Sequence, residues 1–165
     1  MKFEKMIKIL IIDDNPISCI DIQAVLKTRI EEMTEIQFAS SLQVLSELAE
    51  VASPDLVIFG LHKMPAMDPA YVEEKIFQAD PVVPLVVYYD DFLFESMTSF
   101  SKKVAVGFIS KNRIAAELHS CVLNVLKGQF YMCEETTLQM LEVLAAKKIP
   151  SDPKRKSNPG RRMRK

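Results

Sequence analysis

The chain of 165 residues has no tryptophan, four glycines, two histidines and three cysteines. No two glycines lie close enough to form a phosphate-binding loop, and no Ser–His–Asp or Cys–His arrangement is apparent, which argues against a nucleotide-binding or hydrolytic enzyme. The cysteines are odd in number and lack paired spacing, so we expect reduced thiols and no metal site. No apolar run approaches the ~20 residues of a membrane span, and the first six residues lead into a strand. We therefore expect a cytoplasmic protein without membrane contact.

Charge is divided unevenly along the chain. Nine of its 21 basic residues but only one of its 22 acidic residues lie between Lys147 and Lys165. An acidic body therefore carries a basic tail. Such a tail either stays solvated or contacts nucleic acid through charge. The residues that would make this contact are Lys154, Arg155, Lys156, Arg161 and Arg162.

Short apolar runs alternate with helical patterns, which is typical of an α/β domain with a parallel sheet. The predicted strands are residues 7–12, 36–39, 56–61, 84–89 and 104–109. Right-handed crossovers between them predict a doubly wound five-stranded sheet in the order 2-1-3-4-5.

Capping residues mark the predicted helices between these strands. Asn15-Pro16 begins the first, whose buried stripe is predicted to be Cys19, Ile22, Leu26 and Ile30. Ser40 or Ser41 is predicted to begin a second helix, with leucines 42, 45 and 48 pointing inward, and Asp68-Pro69 is predicted to begin a third. A fourth helix is predicted near residues 92–100. Asn112 is predicted to cap the last helix of the domain, and Gly128 to end it.

The chain divides into three predicted parts. Residues 1–128 form the α/β domain, and residues 129–148 form a linker and a C-terminal helix that uses Leu138, Leu141 and Leu144. Residues 149–165 have almost nothing to bury, so this basic tail is expected to be disordered.

The carboxyl ends of strands one, three, four and five meet in one crevice of such a sheet. The sequence brings Asp13 and Asp14, Gly60 or Leu61, Tyr89 with Asp90, and Lys111 to this place. Two adjacent aspartates repel each other in a poorly solvated crevice, so a cation or a basic side chain is expected over them.

Three segments resemble a known family in sequence and in order. They are Ile9-Leu10-Ile11-Ile12-Asp13-Asp14, Pro54-Asp55-Leu56-Val57-Ile58 with Met64-Pro65, and Gly107-Phe108-Ile109-Ser110-Lys111. Over residues 6–128 the chain is similar to the receiver domains of bacterial two-component response regulators. The resemblance implies transfer of a phosphoryl group from a histidine kinase to an aspartate at the end of strand three, with Mg²⁺ on the acidic pair. It matches Asp13 and Asp14 to that pair and Lys111 to the lysine that contacts the phosphoryl group.

Two positions depart from the family. The acceptor position holds Gly60 or Leu61, depending on which end of the segment is counted from, and the strand-four Ser/Thr position holds Tyr89. We therefore predict that no aspartate is phosphorylated. Asp13 and Asp14 are either a structural pair neutralised by Lys111 or a weak Mg²⁺ site at most. Tyr89 either fills the crevice or is simply a β-favouring residue, and His62 is interpreted as an isolated loop residue.

The resulting hypothesis is an atypical receiver domain that is not an enzyme, needs no cofactor, and signals through protein partners. A sensor histidine kinase or an output protein is an expected partner. The face of the fourth helix, fifth strand and fifth helix is a candidate homodimer surface, because Phe92, Phe94, Met97 and Phe100 make it apolar. The alternative is a transcription-associated regulator that contacts nucleic acid through the basic tail. The helix-turn-helix output domain that follows a similar linker in one subgroup of the family is not found here.

Overall fold

The computed structural model describes residues 6–30, 34–40, 54–62, 68–79, 82–91, 94–100 and 105–148. Its centre is a six-stranded parallel sheet. The strands are β1 (Ile7–Ile12), β2 (Thr34–Ala39), β3 (Leu56–Leu61), β4 (Leu85–Tyr89), β5 (Val106–Ser110) and β6 (Tyr131–Met132), in the order β2-β1-β3-β4-β5-β6. The described helices are α1 (Pro16–Arg29), α2 (Pro69–Ala79), α3 (Phe94–Phe100), α4 (Ile114–Leu126) and α5 (Glu134–Lys148).

The predicted α/β class and the order 2-1-3-4-5 are confirmed. All six residues of β3 and all five residues of β4 and β5 are buried, as expected for parallel strands covered on both faces. The sixth strand was not predicted; it pairs with β5 through Gly107–Tyr131 and Phe108–Met132. The helix predicted around leucines 42, 45 and 48 lies outside the described residues.

Most of the predicted helix ends are confirmed. The Asn15 side chain accepts a hydrogen bond of 3.0 Å from the Ile17 amide, and the Asp68 carboxylate accepts one of 3.0 Å from Ala70. Gly128 follows α4 with a φ of 79°, a conformation that favours glycine. The predicted cap at Asn112 is wrong, because Lys111–Arg113 forms a 3₁₀ turn and α4 begins only at Ile114.

Two hydrophobic layers cover the sheet, one on each face. On the first face, α1 and α4 pack against strand residues that include Ile9, Ile58 and Tyr88. On the second face, Phe59, Tyr89 and Phe108 pack with residues of α2 and α3. Because successive strand residues point to opposite faces, the neighbours Tyr88 and Tyr89 enter different layers.

Two of the four apolar residues that suggested a dimer surface are not available for one. Met97 and Phe100 are 0% and 1% exposed and belong to the core. Phe94 is half-buried, with the Lys147 ammonium of α5 lying 4.0 Å from the centre of its ring, and Phe92 lies outside the described residues. The C-terminal helix therefore shields part of this face.

Helix α5 is attached to the ends of two strands. The Tyr89 hydroxyl contacts Thr136 Oγ1 at 2.6 Å and donates a hydrogen bond of 2.6 Å to Gln139 Oε1. The Ser110 hydroxyl donates a hydrogen bond of 2.6 Å to Glu135 Oε2. Within the described part of the chain, no helix is long and apolar enough to cross a membrane.

Candidate functional site

Four polar side chains follow four neighbouring strands at the carboxyl edge of the sheet. Asp13 follows β1, His62 follows β3, Asp90 follows β4 and Lys111 follows β5. Parallel strands end at the same edge, so these side chains meet in one crevice. Asp13 is buried, with no exposed side-chain surface, whereas the neighbouring Asp14 is exposed.

A continuous chain of charged contacts crosses the crevice. Nε2 of His62 lies 2.6 Å from Oδ1 of Asp13, and Nδ1 of the same ring lies 2.7 Å from Oδ2 of Asp90. The ammonium of Lys111 lies 3.3 Å from Oδ1 of Asp90. The amide of Asn15 also donates a hydrogen bond of 2.8 Å to Oδ1 of Asp13.

These contacts fix the protonation state of His62. The hydrogen bond to Asp13 raises the pKa of His62 most, burial opposes the rise, and the bond to Asp90 adds to it, so that the pKa reaches about 9. At neutral pH the ring is therefore an imidazolium that donates both N–H groups. Burial alone would raise the pKa of Asp90, but the bonds from His62 and Lys111 lower it overall.

The interpretation of His62 as isolated is wrong, although the residue does lie in a loop directly after β3. The expectation that Lys111 neutralises the acidic pair is wrong for its buried member, because His62 neutralises Asp13 while Lys111 pairs with Asp90. One signal in the sequence could have identified His62: it directly follows an apolar strand, as Asp13 and Asp90 do.

The two candidate acceptor positions present no polar side chain to the crevice. Leu61 is fully buried in the layer that contains Tyr89. A Cβ atom on Gly60 would lie 2.5 Å from Oδ2 of Asp13 and 2.6 Å from the hydroxyl of Tyr88, far inside van der Waals contact. A side chain at position 60 therefore requires Asp13 or Tyr88 to shift.

Tyr88, and not Tyr89, is the tyrosine that reaches the crevice. Its ring makes an edge contact with His62 at a centroid distance of 6.4 Å. The hypothesis that Tyr89 fills the crevice is wrong, because its hydroxyl points to α5 on the other face. Burial raises the pKa of Tyr89 to about 12, so it stays protonated and can donate to Gln139.

The described side chains do not fit a tight Mg²⁺ site as they are arranged. Mg²⁺ requires near-octahedral oxygen ligands and keeps several waters. The place between Asp13 and Asp90 is filled by the imidazolium, and both ring nitrogens of His62 are engaged. Oδ2 of Asp13 has no hydrogen-bond partner among the described residues, but it faces Gly60 and the Tyr88 hydroxyl, which is likewise unpartnered there. No group of three metal-ligating side chains is found in the described part of the chain.

The residues predicted to contact nucleic acid lie outside the described ranges. Lys154, Arg155, Lys156, Arg161 and Arg162 therefore remain a prediction from sequence alone.

Solved structures share the fold of this chain. No family model matches the sequence, and no curated protein matches it either. The non-phosphorylated receiver domain of the stress response regulator RcsB from Escherichia coli is 18% identical and has a TM-score of 0.65, with 79% of this chain and 100% of that chain covered. A LuxR-family two-component response regulator from Aurantimonas sp. SI85-9A1 is 18% identical and has a TM-score of 0.70, with 86% of this chain and 99% of that chain covered. A CheY-like receiver domain protein from Methanospirillum hungatei JF-1 is 19% identical and has a TM-score of 0.62, with 74% of this chain and 95% of that chain covered. The predicted resemblance is thus confirmed as a likeness of fold.

We expect His62 to stabilise the fold in a pH-dependent way. Because its pKa rises from 6.5 to about 9 on folding, its contribution is complete below pH 6.5 and is lost as the pH rises through 9. His62→Gln should lower the free energy of unfolding by about 2 kcal/mol at pH 6, and the loss should shrink towards pH 10. Urea unfolding followed by circular dichroism at several pH values measures this.

The matched control is His119→Gln, which removes the only other histidine. It should not reproduce the loss of stability that His62→Gln causes at pH 6. An effect of His62→Gln that does not vary with pH would contradict the assignment of an imidazolium in the crevice.

Gly60 and Tyr88 should be energetically coupled. Gly60→Ala should cost about 2–3 kcal/mol of stability, because the added methyl group overlaps Oδ2 of Asp13 and the hydroxyl end of Tyr88. In a Tyr88→Leu background the shorter side chain leaves more room for the added methyl group. The loss of stability caused by Gly60→Ala should therefore be smaller by at least about 1 kcal/mol. A double-mutant cycle of unfolding free energies measures the coupling.

Tyr89→Leu provides the control for this cycle, since Tyr89 is equally buried but lies on the other face. Gly60→Ala should cost the same with or without it. An equal cost in all three backgrounds would show that Tyr88 does not restrict position 60.

Proposed function

We propose that this chain is an atypical receiver domain that acts in two-component signal transduction through protein–protein contacts. It is not phosphorylated on an aspartate and catalyses no reaction of its own. The observation that carries the proposal is the filled crevice, in which Asp13 and Tyr88 take the space beside Gly60 and His62 takes the cation position.

The groups that would respond to a phosphoryl group already have other partners. In the receiver domains that this chain resembles, a hydroxyl group on strand four and a lysine on strand five contact the phosphoryl oxygens. Here the strand-four residue Tyr89 is bonded to α5, and Lys111 is paired with Asp90. Both contacts favour one arrangement of the strand ends without any phosphoryl group. Mg²⁺ binding, if measured, should be weak, because the cation would have to displace the imidazolium.

Protein contact is supported by the surface beside the crevice. Ile17 and Ile20 are 69% and 64% exposed on the first two turns of α1. Residues three apart lie on one side of a helix, so these two side chains form an apolar patch next to the exposed Asp14. Such a patch with an acidic rim suits a protein partner with an apolar, basic surface.

Treatment with acetyl phosphate and Mg²⁺ should leave the intact mass of the protein unchanged. The reason is that position 60 carries no carboxylate and Asp13 is bonded to His62. Mass spectrometry at neutral and at acidic pH measures the result, since phosphohistidine is lost in acid. A receiver domain with an acceptor aspartate serves as the positive control under the same conditions.

A stable gain of one phosphoryl group would contradict the proposal. The variants His62→Gln and Asp90→Asn would then identify the acceptor, because only the variant that lacks it should lose the added mass.

Nucleic-acid contact through the basic tail is a second candidate function. It rests on the concentration of nine basic residues after position 146 beside a body that is rich in acid. A contact of this kind involves phosphates and depends steeply on salt.

If the tail contacts DNA, the triple variant Lys154→Gln, Arg155→Gln, Lys156→Gln should weaken binding. The slope of log affinity against log salt should fall by about 0.9 for each phosphate that the variant no longer neutralises. The matched triple Lys27→Gln, Lys75→Gln, Lys127→Gln removes the same charge from the body and should leave the slope unchanged. Absence of DNA binding at low salt, or an equal change of the salt slope in the two triple variants, would rule out nucleic-acid contact through the tail.

A further inference from the structure

Helix α5 has an inner and an outer face with different roles. The inner face is attached to the sheet through Thr136 and Gln139, and Lys147 lies over the ring of Phe94. The outer face carries three leucines, Leu138, Leu141 and Leu144, which are 54%, 57% and 40% exposed. The leucines that the sequence predicted this helix to use are therefore exposed, and they form an apolar stripe away from the face that is attached to the sheet.

The outer face is symmetric about Leu141. Leu138 and Leu144 lie three residues before and after it, and Glu134 and Lys148, the first and last residues of α5, lie seven residues before and after it. Residues seven apart return to the same stripe of a helix within about 20°. The helix therefore has an acidic start, an apolar centre and a basic end along one line.

We propose that α5 pairs with α5 of a second copy of this chain, antiparallel and about a two-fold axis at Leu141. In this arrangement each leucine stripe covers the other, and Glu134 of one copy lies opposite Lys148 of its partner. A parallel pair would bring Glu134 against Glu134, so charge selects the antiparallel orientation. The contact is isologous and closes with two copies.

The C-terminal segment of the same chain is a poor alternative occupant. Residues 149–165 contain no leucine, valine or aromatic residue, and their non-proline apolar side chains are Ile149 and Met163. Such a segment could cover little of a stripe that runs along a helix about 22 Å long at ~1.5 Å per residue. The pairing does not depend on whether the domain is phosphorylated.

Sedimentation of the full chain over a range of concentrations tests the proposal. We expect a monomer–dimer equilibrium with dimer present at ~100 µM, since three leucines per copy make a small interface. Leu141→Glu places two like charges on the two-fold axis and should shift the dissociation constant upward by at least tenfold. The control Leu123→Glu changes a leucine of α4 that is 37% exposed and should leave the equilibrium unchanged.

Cross-linking tests the orientation with variants that keep an apolar surface. On the two-fold axis, Leu141→Cys should form a disulfide-linked dimer at least tenfold faster than Leu123→Cys under mild oxidation. The three native cysteines are buried and form no background. Glu134→Cys should link to Lys148→Cys in a mixture but not to itself.

Three results would overturn the proposal. They are a monomer at every concentration, equal effects of Leu141→Glu and Leu123→Glu, and rapid linkage of Glu134→Cys to itself. The last would show that the helices pair in parallel.

Discussion

The imidazolium of His62 is the contact on which the carboxyl edge of the sheet depends. A buried carboxylate without a partner is costly, and Asp13 has no exposed side-chain surface. By bonding to Asp13 and Asp90 at once, one ring links the ends of β1 and β4 across β3, and Lys111 extends the link to β5. The positive charge that the buried Asp13 requires is thus supplied by the chain itself.

The two tyrosines at the end of β4 contact different parts of the molecule, one on each face of the sheet. On the face of α1 and α4, Tyr88 reaches the crevice beside His62. On the other face, Tyr89 is held by α5, and Ser110 is held by the same helix. The C-terminal helix is therefore bonded to the ends of β4 and β5, and a partner bound to its outer leucines would contact an element fixed to the crevice edge.

The sequence predicted the sheet well because buried parallel strands appear as continuous apolar runs. It did not predict β6, since two residues carry no periodicity, and the Asn112 cap was wrong because a 3₁₀ turn intervenes. The site was harder to predict. His62 lies 49 residues from Asp13 in sequence, and nothing local marks their contact. Tyr88 could not be told from Tyr89, because the face that each residue enters depends on strand register.

The close packing of Gly60 against Tyr88 and Asp13 limits how the chain can change by single mutations. A carboxylate at position 60 would require Asp13 and Tyr88 to move, and removing the tyrosine alone leaves a cavity in the core. Each single change is expected to lower stability, so we expect the effects of substitutions at the two positions to be epistatic. A mutational scan of one position at a time would then miss any double substitution that is better tolerated than its parts.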